Sequence, residues 1–240
     1  MTLTIVTSHW NEDLDWLKKS KFPVVLIDKV GAAPSWLEPK HIVEQNKGKE
    51  VSAYLKYIIE NYDNLPDHVA FIHGHEKAIH QLYSRPLLEV IEHANIEKYD
   101  YISLNNIVRF YTFANEPIKD FMQIEDMWSE WFPWGAPARG AQIVYPVSAQ
   151  FIVSKKAILK HPKNLYENWY SKIMEFYWPL DHSYTPPSCP LTFFECLWHV
   201  IFGEPLACRV QRDWFSFPTE PVRIWSPNCY TTDEPIYVNI

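Results

Sequence analysis

Residues 68–75 read HVAFIHGH, and this stretch decides the interpretation of the fold. The apolar run predicts a buried strand. It ends at His73 and His75, two histidines that flank a glycine, with His80 following. Glycine lets the chain turn or approach a ligand closely, and imidazole binds metals, donates hydrogen bonds and titrates near neutrality. We therefore expect the strand to deliver imidazoles to one edge of a sheet.

Strands and helices alternate ahead of this stretch. The pattern predicts strands at Leu3–Ser8, Pro23–Asp28 and Val69–Ile72, with helices at Leu14–Lys19 and Glu50–Tyr62 between them. The second strand is apolar on both faces, as in a parallel sheet covered on both sides. A βαβαβ order indicates an α/β fold with a mostly parallel central sheet flanked by helices.

The second half of the chain is less regular. Short strands are expected at Tyr101–Leu104 and Val147–Val153, and helices at Pro86–His93, Lys155–Lys160, Pro162–Trp178 and Thr192–Phe202. No linker or internal repeat interrupts the sequence, so we expect a single domain over residues 1–240.

Composition excludes several classes of protein. The net charge is −7 without a basic run, which argues against nonspecific nucleic-acid binding. No apolar run has the length of a membrane span, and the N-terminus lacks the features of a signal peptide. The four cysteines have no CxxC spacing. We expect a cytoplasmic protein that neither binds nucleic acid nor spans a membrane.

Polar side chains should converge at the carboxyl ends of the parallel strands, where open α/β sheets bind ligands. Ser8–Asp13 follow the first strand, Asp28-Lys29 follow the second, and His73–His75 end the third. Asp28 either contacts a ribose hydroxyl or turns the chain. Lys47 either supplies a counter-charge for a phosphate at the start of the long helix or belongs to an ordinary polar cap. Dinucleotide and P-loop motifs are absent.

This order resembles the glycosyltransferase-A fold, in which a strand ends in an Asp-x-Asp pair that holds a metal against a sugar-nucleotide diphosphate. His73-Gly74-His75 stands at the place of that pair. The chain also resembles an uncharacterised domain-of-unknown-function family, number 3431. The matching segments span most of residues 5–203 and are His9–Asp13, Asn46–Glu50, Tyr62–Asp67, Phe71–His75, Ala149–Ser154 and Glu195–His199.

The resemblance implies a glycosyltransferase that moves a sugar from a nucleotide-sugar donor to a glycan acceptor. It divides the domain into a Rossmann-like nucleotide half (1–105), an acceptor half (106–203) and a wrapping tail (204–240). The donor would contact Ser8, Asn11, Glu12, Asp28, Lys47, His73 and His75. The acceptor would contact Gln150, Trp134 and Arg139, although the aromatic segment around Trp134 is equally typical of packing.

The resemblance also implies a proton acceptor and a metal. Glu195 takes the role of the catalytic base, while a purely structural Glu195, bonded to backbone or to a nearby arginine, stays open. His73, His75 and His199 are the candidate metal ligands, and imidazoles suit Zn²⁺ or Mn²⁺ better than Mg²⁺. A metal-free site, with His73 and His75 bonded to a diphosphate, is the alternative.

Two other functions fit the same residues. One is a metal-dependent hydrolase built on His73, His75, His80 and His199. The other is a non-catalytic carbohydrate-binding module that has lost the Asp-x-Asp metal site.

Overall fold

A computed structural model of the chain describes residues 1–42, 46–77, 85–105, 107–112, 124–138, 140–146, 149–176, 190–208, 211, 213–217, 222–224 and 236–238. The strands are β1 (Leu3–His9), β2 (Val24–Asp28), β3 (Pro39–Ile42), β4 (His68–Ile72), β5 (Tyr101–Ser103), β6 (Ile107–Thr112), β7 (Gln142–Pro146), β8 (Phe151–Ser154), β9 (Val222–Ile224) and β10 (Ile236–Val238). The α-helices are α1 (Lys49–Asn61), α2 (Leu87–Glu92), α3 (Ile124–Trp131), α4 (Lys155–Ile158), α5 (Lys163–Glu175) and α6 (Pro190–Ile201), and 3-10 helices cover Asp15–Lys19 and Tyr62–Asn64.

The central sheet has six strands in the order β3-β2-β1-β4-β8-β5. The pairings among β3, β2, β1 and β4 are parallel. β8 is antiparallel to both of its neighbours, β4 and β5. The prediction of an α/β fold with a central sheet flanked by helices is confirmed, and the sheet is mixed because β8 runs against the other strands.

Alternation of apolar side chains along the strands produces a core on each face of this sheet. Val6 and Phe71 face one side, where they pack with residues of α1, α5 and α6. Ile5 and Ile72 face the other side, where they pack with residues of α2 and the first 3-10 helix. Helices therefore cover both faces, and the carboxyl ends of the parallel strands form one rim of the sheet.

A second sheet of four strands has the order β10-β9-β6-β7. β9 comes from the tail segment and pairs in parallel with β6. The tail therefore supplies strands to this sheet. Likewise β8, from the second half of the chain, lies within the sheet of the first half.

Two strands differ from the sequence interpretation. β3 lies between the second predicted strand and the long helix, where no strand was predicted, and its Pro39 is tolerated because the strand lies at the sheet edge. The strand predicted over Val147–Val153 begins only at Phe151. Before it, the Ala149 carbonyl accepts a hydrogen bond from the Tyr54 hydroxyl, and Gln150 makes side-chain contacts outside the β-ladder.

No α-helix in the described part of the chain combines the length and apolar character needed to cross a membrane.

Candidate functional site

The ends of β1 and β2 are joined through two buried side chains. His9 Nδ1 lies 3.2 Å from Asp28 Oδ1. Asp28 also accepts hydrogen bonds from the backbone N–H groups of Val30 (3.0 Å), Gly31 (3.1 Å) and Ala33 (3.0 Å). Burial acts to raise the pKa of Asp28, but these hydrogen bonds outweigh it and hold the pKa below its usual value. Both carboxylate oxygens therefore organise the turn that follows β2.

Lys29, the next residue, connects β2 to the start of α1. Its Nζ donates to the Lys47 carbonyl (3.0 Å) and to Ser52 Oγ (2.7 Å). The side chain is buried, and burial lowers the pKa of Lys29 to about 7, although the charge of Glu50 acts to raise it. The sequence interpretation expected Lys29 at this rim but did not predict that it would connect β2 to the start of α1.

The turn before α1 is tightly constrained. Gly48 has φ of 68° and Lys49 has φ of 41°, both in the left-handed region. A Cβ atom on Gly48 would lie 2.5 Å from Ile173 Cγ2 of α5, so glycine is required by space as well as by conformation. Lys47 Nζ donates to the Met174 carbonyl at 3.3 Å. This ammonium lies at the C-terminal end of α5, where a cation is favoured.

The loops after β1 and β4 touch each other, as the sequence predicted. Glu12 Oε2 accepts hydrogen bonds from the N–H groups of Trp10 (2.6 Å) and Asn11 (3.1 Å). A Cβ atom on Gly74 would lie only 3.0 Å from Glu12 Cβ and Cγ. Trp16 Nε1 donates to the Gly74 carbonyl at 3.1 Å. Gly74 is therefore a glycine because the two loops pack closely at this point.

A buried amide pair holds His73 in position. The His73 N–H donates to Gln150 Oε1 (3.1 Å), and Gln150 Nε2 donates to Asn105 Oδ1 (3.1 Å). Gln150 and Asn105 are both fully buried. The sequence analysis selected Gln150 as a candidate site residue but not Asn105. The position of Asn105 directly after a predicted strand was the feature that could have identified it. Gln150 thus lies beside His73 and connects the ends of β4 and β5.

The electrostatic surroundings of His73 favour a neutral ring. Burial lowers the pKa of His73, the charges of Glu50 and Glu12 act to raise it, and His75 acts to lower it. Because burial dominates, the imidazole is uncharged near pH 7 and offers one N–H donor and one acceptor. His75, two residues on, is exposed.

A surface cleft of about 520 Å³ lies between the loops after β1 and β4. Glu12, Trp16, Gly74 and His75 line it, together with Asp13, Asp15, Lys19, Glu76 and Lys77. Carboxylates outnumber ammonium groups along its walls, so the cleft favours hydroxyl-bearing or cationic groups over phosphates.

The other residues predicted for the donor and acceptor sites are more dispersed. Ser8 is half-buried on β1 and Asn11 is exposed in the following loop. Trp134 stacks between Phe132 (centroids 4.4 Å apart) and His161 (5.0 Å). His161 in turn contacts the carbonyl of Ile201 at the end of α6, so the structure does not bring Trp134 to the rim that holds His73. Arg139 and His80 lie outside the described residues.

Glu195 and His199 lie one turn apart on α6 but in different surroundings. Glu195 is half-buried. Burial, reinforced by the Glu195 charge, raises the pKa of the neighbouring Cys196 thiol. His199 is buried, its Nε2 lies 3.2 Å from the Leu206 carbonyl, and burial lowers its pKa to about 4. His199 is thus part of the interior packing, and the roles predicted for both residues stay predictions.

The described residues contain no group of three or more His, Cys, Asp or Glu side chains arranged to hold a metal ion. The roles of His73, His75 and His199 as metal ligands therefore stay predictions.

Comparison with curated proteins finds no match to this chain. Comparison with protein families finds one over residues 4–216, which include the rim formed by β1, β2 and β4. Since the match covers most of the 240 residues, the chain belongs to the family described as protein of unknown function (DUF3431).

Proposed function

We propose that this protein transfers a sugar from a nucleotide-sugar donor to a glycan acceptor. The observation that carries the proposal is that the loops after β1, β2 and β4 leave the sheet at one rim, where His9 contacts Asp28 and Gly74 packs against Glu12. Ligands of open α/β sheets bind at this rim. The resemblance of the strand order to the glycosyltransferase-A fold is a second argument for proposing a nucleotide at this rim.

Sugar transfer requires stabilisation of the negative charge that develops on the departing diphosphate. In the proposal, His73 meets this need by donating a hydrogen bond from a neutral ring, since its pKa is lowered. Its backbone is fixed by Gln150. A hydrogen-bond donor that is already oriented, as the His73 ring would be, needs little reorganisation when the bond to the sugar breaks.

A metal held by His73 and His75 stays a prediction. His73 and His75 stand on either side of Gly74, and no third ligand completes a group among the described residues. Two imidazoles alone fall short of the three protein ligands typical of catalytic zinc sites. We therefore derive no step through a metal.

The acceptor is proposed to bind in the cleft beside Glu12 and His75. Its carboxylates accept hydrogen bonds from hydroxyl groups, and its excess of negative charge disfavours the diphosphate. Gln150 supports this rim from beneath through His73, instead of reaching the acceptor itself. Glu195 is retained as the proposed proton acceptor, and the cytoplasm as the expected compartment.

Binding and turnover test the proposal in sequence. We expect UDP, GDP or CMP to raise the melting temperature, and the matching nucleotide-sugar to release its nucleotide when a glycan acceptor is added. His73→Ala should abolish this release in a variant that circular dichroism shows to be folded, whereas His93→Ala, at the end of α2, should retain it. Tight zinc binding without nucleotide binding would support the hydrolase instead, and a response to glycans alone would support the binding module.

A further inference from the structure

We infer that Glu50, and not Asp28, is the carboxylate that accepts hydrogen bonds from vicinal hydroxyl groups of the nucleotide-sugar. The inference rests on the proposed function and identifies a binding residue that the sequence interpretation did not select. Asp28 held that role in the sequence interpretation because it ends the second strand.

Asp28 has little left to offer a ligand. It accepts hydrogen bonds from three backbone N–H groups of the turn after β2 and faces His9 as well. Only 1% of the residue is exposed. A ribose or hexose hydroxyl that displaced these contacts would take away the acceptor of three N–H groups that fix the turn, which costs free energy.

Glu50 lies at the same rim with its carboxylate available. It is the second residue of α1, whose start is joined to the end of β2 through Lys29. Ser52, two residues further along α1, accepts a hydrogen bond from Lys29 Nζ at 2.7 Å, and the charge of Glu50 acts to raise the pKa of Lys29 and of His73. The side chain is half-buried, and within the described part of the chain it has neither a hydrogen bond nor an ion pair.

The turn before α1 holds Glu50 in place from several sides. Lys29 Nζ and Ser52 Oγ both donate to the Lys47 carbonyl, at 3.0 and 2.6 Å. Gly48 packs against Ile173, and Lys49 adopts a left-handed conformation that is uncommon for a residue with a side chain. Backbone in such conformations persists where its surroundings fix it. Glu50 therefore follows a stretch of backbone that is held by several contacts.

A carboxylate at this rim has two opposing effects on a nucleotide. It repels the diphosphate, and it accepts two hydrogen bonds from adjacent hydroxyl groups if they are within reach. The sign of the effect of Glu50→Gln therefore reports which one dominates. If Glu50 only repels, the substitution tightens binding, and if it contacts the diol, the substitution weakens binding.

Calorimetric titration of the full chain tests the inference. The ligands are the nucleotide among UDP, GDP and CMP that binds the wild type, its 2′,3′-dideoxy analogue and the corresponding nucleotide-sugar. We expect Glu50→Gln to raise the Kd of the parent nucleotide about tenfold or more, because hydrogen bonds to a charged group are lost. The dideoxy analogue should bind the wild type as weakly as the parent nucleotide binds Glu50→Gln. This second measurement uses the wild-type protein alone.

The ligands distinguish the source of the hydroxyl groups. A loss seen with the parent nucleotide assigns the ribose, and a loss seen only with the nucleotide-sugar assigns the transferred sugar. Glu167→Gln, an exposed carboxylate on α5, makes the same charge change and should leave every Kd unaltered. Unchanged or tighter binding of all ligands by a folded Glu50→Gln overturns the inference while the proposed function stands. An equal loss in Glu167→Gln also overturns it, and failure of every nucleotide to bind the wild type overturns both.

Discussion

His9 Nδ1 lies 3.2 Å from Asp28 Oδ1 in the protein interior and joins the ends of two adjacent parallel strands. His9 and Asp28 are themselves partners in the β1–β2 register. The contact fixes the rim from which the loops after β1 and β2 depart. Because Asp28 also binds the backbone of the turn after β2, this rim is held by side-chain hydrogen bonds as well as by the β-ladder.

Asp28→Ala should destabilise the fold. The substitution leaves three backbone N–H groups and His9 without their acceptor, and we expect the free energy of unfolding to fall by about 2–4 kcal/mol. Urea denaturation followed by circular dichroism measures this loss. Asp63→Ala, at an exposed position of the second 3-10 helix, should change it by less than about 0.5 kcal/mol. Equal stability of the two variants would show that Asp28 is not a structural residue.

Gly74→Ala should disturb the contact between the loops after β1 and β4. The new methyl group would lie 3.0 Å from Glu12 Cβ and Cγ, so Glu12 must give way by a few tenths of an ångström. We expect a loss of about 1–3 kcal/mol in the free energy of unfolding, as for other overpacked positions. Gly135→Ala is the matched control, because nothing lies within 4 Å of its Cβ position. If both variants unfold at the same urea concentration, the loops are not in close contact.

Lys29 should make stability rise with pH above neutrality. The unfolded chain keeps the Lys29 proton up to about pH 10.4, whereas the folded protein releases it near pH 7. Stability therefore increases as the pH rises between these values, by about 2 kcal/mol from pH 7.5 to 9 for this group. In Lys29→Met, the free energy of unfolding measured by urea titration at pH 7.5 and at pH 9 should lack this part of the increase. Lys77→Met, at an exposed position, should retain it, and an identical pH dependence in all three proteins would contradict the burial of Lys29.

His199 should make the protein sensitive to acid. Below its pKa of about 6.5 in the unfolded chain this histidine binds a proton, whereas in the folded protein it does so only near pH 4. Stability is complete above pH 6.5 and is lost as the pH falls, by about 2 kcal/mol between pH 6.5 and 5. In His199→Gln the free energy of unfolding should lack this part of the pH dependence, whether or not the variant is less stable than the wild type at pH 7.

The measurement is the free energy of unfolding of each protein at both pH values. His75→Gln, at an exposed position, is the control and should behave as the wild type. A wild-type slope in His199→Gln would mean that other groups cause the acid sensitivity, and that His199 is not held neutral by burial.

Glu195→Gln should reduce turnover if the proposed function is correct and Glu195 is the base. Glutamine keeps the shape of the side chain and removes its ability to take a proton, so we expect turnover to fall on the order of 100-fold with donor affinity nearly unchanged. Steady-state release of nucleotide from the nucleotide-sugar measures both quantities. Glu167→Gln should be as active as the wild type. Near-normal turnover in Glu195→Gln would assign Glu195 to the structure.

Local patterns predict only part of the candidate site. The contact of the loops after β1 and β4 follows from two apolar runs that end in polar residues, because parallel strands bring their carboxyl ends to one rim. The pairing of His73 with Gln150 crosses 77 residues, and nothing in either segment specifies the partner. Asn105 and Glu50 went unselected for the same reason: their roles depend on what the rest of the chain places beside them.

The sequence by itself determined β1, β2, β4 and α1, since a buried strand or an amphipathic helix is written into the spacing of its own apolar residues. It also determined which rim would carry the polar side chains. Only the tertiary structure decided that β8 inserts antiparallel between β4 and β5, because strand pairing is specified by packing between distant segments. The tertiary structure likewise decided that Asp28 is used by its own turn while Glu50 is available. The physical reason is that a carboxylate accepts only a limited number of hydrogen bonds, and only the folded chain determines which carboxylates already accept them from other parts of the protein.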